Sequence, residues 1–188
     1  MFLYQVLSFF IQLFLLPFFV RILFRFHQIA FNNMLHIAML QFTNRFISLV
    51  SRWIKPSRRI DWPALTFIFI VMFILCQLRS IITIGHGAGL LIGSLIVVVE
   101  FFNRICIIYI SAGLLSYSSL FIAGGSNKPF IDITYELTNW QLKKVSFLMR
   151  QMPFFRMNLL KWTFWVWLLL MIFINLSLEH IIFNLVYQ

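Results

Sequence analysis

Two oppositely charged residues stand one helical turn apart inside an apolar run of the sequence. Glu100 and Arg104 belong to VVVEFFNRICII (97–108), in which Asn103 is the one other polar residue. Residues four apart share a helix face, so a carboxylate and a guanidinium at this spacing can neutralise each other. Ionisable groups this deep in an apolar segment are costly and mark functional positions. Glu100 and Arg104 are therefore a candidate intramembrane pair, which either holds helices together or belongs to an ion or proton pathway.

The other chemically capable residues form no pattern typical of catalysis or of metal binding. The histidines are too far apart for the short HxxxH or HExxH spacings of metal sites, and IAGGSNKP (122–129) lacks the GxxxxGK[ST] pattern that cradles phosphate. The five acidic residues are scattered over the chain. We therefore expect no catalytic residue, no metal, no cofactor and no enzymatic activity.

Asp61 stands at the start of a long apolar segment. Pro63 follows it two residues later, and Arg58 and Arg59 precede it. An aspartate followed by proline is typical of a helix N-cap and first turn. We interpret Asp61 as a helix cap that also forms a local ion pair with the neighbouring arginines.

The composition places these residues in a membrane protein. The chain has 188 residues, of which 62% are hydrophobic and 11% charged, and its mean hydropathy is +0.94. Soluble domains average about 45–50% apolar and about 25% charged residues. This chain has too few polar residues to cover its own surface.

Four apolar segments are long enough to cross a bilayer. They comprise residues 2–24, 63–84, 89–115 and 159–178. A hydrocarbon core about 30 Å thick requires roughly 20 apolar residues, and backbone amides within it must find partners inside the segment. The sequence therefore predicts an all-α integral membrane protein with four transmembrane helices.

Two further segments, 40–54 and 134–150, are predicted to be amphipathic helices. In the first, the apolar residues recur with helical spacing: Phe42, Phe46, Leu49, Val50, Trp53 and Ile54. Such a helix lies in the membrane interface, with its apolar face among the acyl chains and its arginines among the headgroups. The alternative is that this face packs against other protein.

The basic residues predict the orientation of the chain. Twelve of the 15 Lys and Arg residues lie in the two long connections, between spans one and two and between spans three and four, if Lys161 at the start of the fourth span is included. Because cytoplasmic loops carry the Lys/Arg excess, we expect both loops in the cytoplasm and both termini in the periplasm. The net charge of +10 is thus a topology signal, and no nucleic-acid partner is expected. The anchors to anionic headgroups, worth about 1 kcal/mol each, are Arg45, Arg52, Lys55, Arg58, Arg59, Lys143 and Lys144.

The two halves of the chain resemble each other. At an offset of 95 residues, FTNRFISLVSRW (42–53) aligns with LTNWQLKKVSFL (137–148), and each half has the order span, amphipathic segment, basic cluster, span. Both halves enter the membrane from the same side. The sequence therefore predicts two parallel repeats, 1–84 and 85–188.

Each half carries a series of short motifs. They are Arg21, Asn32–Asn33, Thr43–Asn44, Ser51–Arg52 and Ile60–Asp61 in the first copy, and Ser116–Tyr117, Lys128–Pro129, Thr138–Asn139 and Lys143–Lys144 in the second. These motifs resemble those of the YggT family of small bacterial inner-membrane proteins, which has chloroplast relatives. That family has two copies of a unit with an Arg near the end of a span, a Thr-x-Pro motif, a basic pair and Ile-Asp before the next span. Arg45 and Trp140 stand here where the family has prolines, and Arg156 stands where it has the second Asp.

The resemblance implies a non-enzymatic protein with a structural or regulatory role. Members of that family are associated with osmotic or ion homeostasis, with organisation of the cell envelope and, in chloroplasts, with assembly of membrane complexes. The expected partners are the anionic lipid surface and another membrane protein or a second copy. The alternative is a small oligomeric ion channel or transporter subunit built around Glu100 and Arg104.

Overall fold

Helices account for all the regular structure in the described part of the chain. The computed structural model describes residues 2–28, 34–57, 59–119, 128–150 and 159–187. Six helices follow one another in these ranges: α1 (Phe2–His27), α2 (Met34–Ser51), α3 (Trp62–Ile84), α4 (Leu90–Ser119), α5 (Lys128–Arg150) and α6 (Leu159–Tyr187). The all-helical class predicted from the sequence is confirmed.

Four of these helices are long and apolar enough to cross a membrane. The qualifying stretches are Tyr4–His27, Trp62–Ile82, Leu90–Ser118 and Thr163–Asn184. They coincide with the four predicted spans, which identifies a multi-pass membrane protein. Helices α4 and α6 continue beyond the predicted span ends, because hydropathy marks the part of a helix that suits lipid and not the residue at which the helix stops.

The ends of α3 follow from local sequence. Asp61 is its N-cap, with the side chain accepting a hydrogen bond from the backbone N–H of Ala64, and proline occupies the first turn. At the other end, Gly85 has φ 84°, and its N–H bonds to the carbonyl of Ile81. Glycine adopts this left-handed conformation without steric cost. The chain then reverses within five residues, so α3 and α4 form an antiparallel hairpin.

By packing, the chain divides into two compact units. The first comprises Met1–Phe102 and Glu179–Gln188, and the second comprises Asn103–Leu178. In the first unit α1 contacts α2 and α3, and α2 contacts α3. Phenylalanines fill this core: Phe18 is fully buried and stacks on Phe67 at 4.8 Å between ring centroids.

The second unit is built around Trp167 of α6, which is 1% exposed. Its indole lies against Gly113 of α4, where no larger residue would fit. The indole Nε1 donates a hydrogen bond to Gln141 Oε1 of α5 at 2.8 Å. One glycine thus makes room for the largest buried side chain. The repeats 1–84 and 85–188 are a division of the sequence and stay a prediction.

Candidate functional site

A group of polar side chains, of which Thr43 and Asp61 are buried, joins α1, α2 and α3 in the first unit. We call it the Arg21 cluster and define it as Arg21 and Arg25 of α1, Thr43 and Asn44 of α2, and Asp61, the cap of α3. Arg21 Nε donates to Asp61 Oδ2 at 2.7 Å. The side chain of Asp61 is 2% exposed and that of Arg21 is 11% exposed. This ion pair is therefore largely removed from solvent.

Helix α2 supplies two acceptors to the same guanidinium. Arg21 Nη1 donates to Thr43 Oγ1 at 2.8 Å and to Asn44 Oδ1 at 2.6 Å. Thr43 is fully buried, and its hydroxyl donates in turn to the carbonyl of Met39 at 2.8 Å. One arginine of α1 thus binds α2 and α3 simultaneously.

Arg25 reinforces the cluster one turn further along α1. Its Nη1 lies 3.6 Å from Asp61 Oδ2, and its Nε donates to the carbonyl of Ser57 at 2.9 Å. Arg25 in the last turn of α1 and Asp61 at the N-terminus of α3 suit the macrodipoles of both helices. Helix polarity and ionic attraction therefore favour the same arrangement.

The cluster leaves Asp61 little capacity for further chemistry. Its Oδ2 is shared by two guanidinium groups, and its Oδ1 accepts from the N–H of Ala64 at 3.3 Å. In the part of the chain that the structure describes, no group of three or more metal-ligating side chains occurs. What this geometry provides is a rigid connection between three helices.

The second unit contains a buried threonine at the corresponding position of α5. Thr138 of α5 aligns with Thr43, is also fully buried, and donates to the carbonyl of Thr134 at 2.9 Å. Residue Arg156, which aligns with Asp61, lies outside the described residues. One hydrogen bond between α5 and a span in this unit is that of Trp167 with Gln141.

Of the candidate intramembrane residues, Glu100 has an ionic contact with α3. Its Oε1 lies 3.4 Å from Nη1 of Arg79, and their side chains are 22% and 31% exposed. Arg79 stands near the end of the second predicted span, 63–84. Arg104 is partly buried, and no ion pair joins it to a carboxylate in the described ranges.

The predicted headgroup anchors lie at the surface. Arg45, Arg52, Lys55 and Arg59 are exposed, whereas Arg58 lies outside the described residues. In α5, Lys143 and Lys144 are exposed, and the Lys144 ammonium sits 3.8 Å from the centre of the Trp140 ring. These positions suit contact with anionic groups.

Helix α2 shows which of its sides meets the rest of the unit. The buried side carries Thr43 and Ile47, whereas Leu49 is 66% exposed. Phe42 and Phe46 lie between these sides; both contact the ring of Phe14 on α1 and remain partly exposed. The predicted apolar face is therefore divided between protein contact and the surface. Its placement in the membrane interface stays a prediction.

Sequence reasoning did not find the partners within the Arg21 cluster. It named Arg21 only through the family resemblance, and it paired Asp61 with its neighbours in sequence. A signal was present, because the end of the first span and the start of the second face the same side of the membrane. The charged residues near those two ends are Arg21 and Asp61. They are therefore expected at a similar depth in the membrane.

Comparison of the chain with protein-family models, with curated proteins and with solved structures finds no match.

Proposed function

We propose that this chain is a non-enzymatic protein of the bacterial inner membrane, a divergent member of the YggT family with a structural or regulatory role. One observation carries the proposal. Three sets of residues on which the first-half resemblance rests, Arg21, Thr43–Asn44 and Asp61, meet in a single hydrogen-bonded cluster. Residues that are far apart in sequence thus act together to hold α2 against two spans, α1 and α3.

In this proposal α2 and α5 work at the cytoplasmic surface. Their exposed cations bind anionic headgroups, and their exposed apolar residues, such as Leu49 and Phe147, enter the acyl boundary or receive another membrane protein. The long loops are cytoplasmic and the termini periplasmic. The Arg21 cluster holds α2 at a fixed position, so that a partner protein meets a preformed surface. The process that this contact serves is osmotic balance or the assembly of membrane complexes.

A fluorophore placed on either side of α2 tests this role. In a variant with Cys76 and Cys106 replaced, one cysteine is introduced at Leu49 or at Ser48, adjacent exposed positions on different sides of α2. In vesicles containing anionic lipid, we expect the label at residue 49 to be quenched by brominated acyl chains and that at residue 48 by aqueous iodide. Equal quenching of both labels by iodide would show that α2 does not lie in the interface.

A second candidate function is that of a small oligomeric ion channel or transporter subunit. The observation in its favour is the Arg79–Glu100 ion pair, which lies between two helices long enough to span the membrane. Ionic groups in such positions commonly belong to ion pathways. Proteoliposomes with the native chain or with Glu100→Gln separate the candidates. A flux that exceeds that of empty vesicles and changes with the substitution favours transport, whereas no flux favours the structural role.

A further inference from the structure

Arg104 occupies an unusual position in α4. It lies midway between Leu90 and Ser118, the ends of the apolar stretch of this helix, and is thus roughly 21 Å from each end at the rise of an α-helix. The hydrocarbon core is about 30 Å thick. A residue at its middle is too deep for an arginine side chain to reach either headgroup layer from a straight helix.

In the described ranges, no charged side chain compensates this guanidinium. Glu100, the carboxylate one turn away, is engaged by Arg79 at 3.4 Å. Among the described residues, nothing hydrogen-bonds to Arg104 or forms an ion pair with it. Its partial exposure leaves the group accessible from outside the chain.

Guanidinium groups in hydrocarbon face water-filled cavities, or they pair with acidic groups or carbonyls. An acidic side chain at the same depth on a neighbouring transmembrane helix meets this need, and a lipid phosphate does not, because it lies at the headgroup layer. A second copy of this chain is a poor source. Its own Glu100 is held by Arg79, and its exposed Glu179 lies five residues from the end of the apolar stretch of α6, away from the middle of that stretch. The missing carboxylate therefore belongs to a different protein.

We propose that Arg104 is the docking point for a partner protein whose transmembrane helix carries a Glu or Asp near the middle of the bilayer. This inference rests on the proposed structural role, since it names the class of membrane protein that is bound. The ion pair forms as the two helices associate, and it satisfies both charges within the hydrocarbon. An apolar helix of the same length gains no such advantage and binds more weakly.

Synthetic transmembrane peptides test the proposal directly. A leucine-rich helix of about 22 residues carries a central Glu, and matched peptides carry a central Gln, a central Leu, or a Glu near one end. Energy transfer from the labelled full-length protein to each labelled peptide is measured in vesicles of zwitterionic lipid. We expect the central-Glu peptide to bind about tenfold more tightly than the central-Leu peptide, and more tightly than the peptide with a terminal Glu.

Variants of the protein then locate the contact. The preference is expected to disappear in Arg104→Leu and to persist in Arg104→Lys, and Arg104→Glu is expected to prefer a central-Lys peptide instead. A native protein that binds all four peptides equally would overturn the proposal, as would a preference that survives Arg104→Leu. If Arg104→Leu does not fold, the proposal is decided by whether Arg104→Glu prefers the central-Lys peptide. The quenching of the fluorophores at residues 48 and 49 of α2 is measured without any peptide. Failure of the interfacial role of α2 is thus distinguished from failure of the contact at Arg104.

Discussion

At the scale of single residues, the Arg21 cluster shows how few polar groups are needed to position a helix. Asp61 combines two roles, because one carboxylate oxygen caps α3 and the other receives two guanidinium groups of α1. The cap could be predicted from Asp61 and Pro63 alone, since capping depends on adjacent residues. The ionic partners could not, because they depend on the packing of helices that are remote in sequence.

Replacing Asp61 by Asn separates these two roles. Asparagine is an equally good N-cap, so the change removes the ion pair and retains the start of α3. Removing one partner of a buried pair leaves an uncompensated charge, and we expect Asp61→Asn to lower the free energy of unfolding by about 3 kcal/mol. Titration with SDS in mixed micelles measures this loss.

The control for this change is Arg59→Gln, which removes an exposed charge from the same connection. Its expected effect lies within about 0.5 kcal/mol of zero. If the two variants unfold at the same SDS fraction, the Asp61 ion pair contributes nothing to stability. A double-mutant cycle with Arg21→Gln gives the coupling energy directly.

Two fully buried threonines form a second matched test. Thr43 accepts a hydrogen bond from Arg21, whereas the hydroxyl of Thr138 donates to carbonyls of its own helix. Valine has nearly the same shape but no hydroxyl. We expect Thr43→Val to cost about 1.5 kcal/mol, because a charged donor loses an acceptor, and Thr138→Val to cost well under that value. Equal losses in SDS titration would argue against a special role for Thr43.

At the scale of helices, the sequence predicted which helices exist better than it predicted where they end and which sides of them pack against protein. The four spans were predictable because a run of about 20 apolar residues admits few alternatives. The buried side of α2 was not, since Thr43 faces protein while the more apolar Leu49 faces outward. In a membrane protein an apolar side chain is as favourably placed against lipid as against protein. The hydrophobic pattern alone therefore does not identify the side of a helix that packs against protein.

The close contact between α4 and α6 gives a prediction for these elements. A methyl group at Gly113 would collide with the ring of Trp167. Alanine normally stabilises a helix relative to glycine, but here we expect Gly113→Ala to destabilise the second unit by about 1–3 kcal/mol through overpacking. The indole N–H resonance of Trp167 should also shift, because its bond to Gln141 is displaced.

Gly89→Ala is the appropriate comparison, since an added Cβ at Gly89 meets nothing within 4 Å. That variant should leave the Trp167 resonance in place. A Gly113→Ala protein that is as stable as the native chain, with an unchanged indole resonance, would mean that α4 and α6 approach less closely than described.

At the scale of the whole molecule, charge distribution and span number together predict the orientation. With four candidate spans, both ends of the chain are predicted to lie on one side, and the basic loops predict that this side is the periplasm. We expect alkaline phosphatase fused after residue 188 to be active, and a green fluorescent protein fused there to be dark when exported unfolded.

Fusions within the long connections provide the converse measurement. A phosphatase fused after Arg59 should be inactive, because this loop is predicted to remain in the cytoplasm. Phosphatase activity at residue 59 together with none at residue 188 would reverse the orientation. Activity at both positions would refute the span count.

The ion pair between Arg21 and Asp61 also has a consequence for the order in which the protein is made. Arg21 is synthesised 40 residues before Asp61, so α1 enters the membrane with its guanidinium groups still uncompensated. The carboxylate arrives only with α3, after the first helix has inserted. Closure of the pair is thus a late step that joins helices already in place. A chain without Asp61 should therefore insert normally and be lost afterwards, to the proteases that remove unassembled membrane helices.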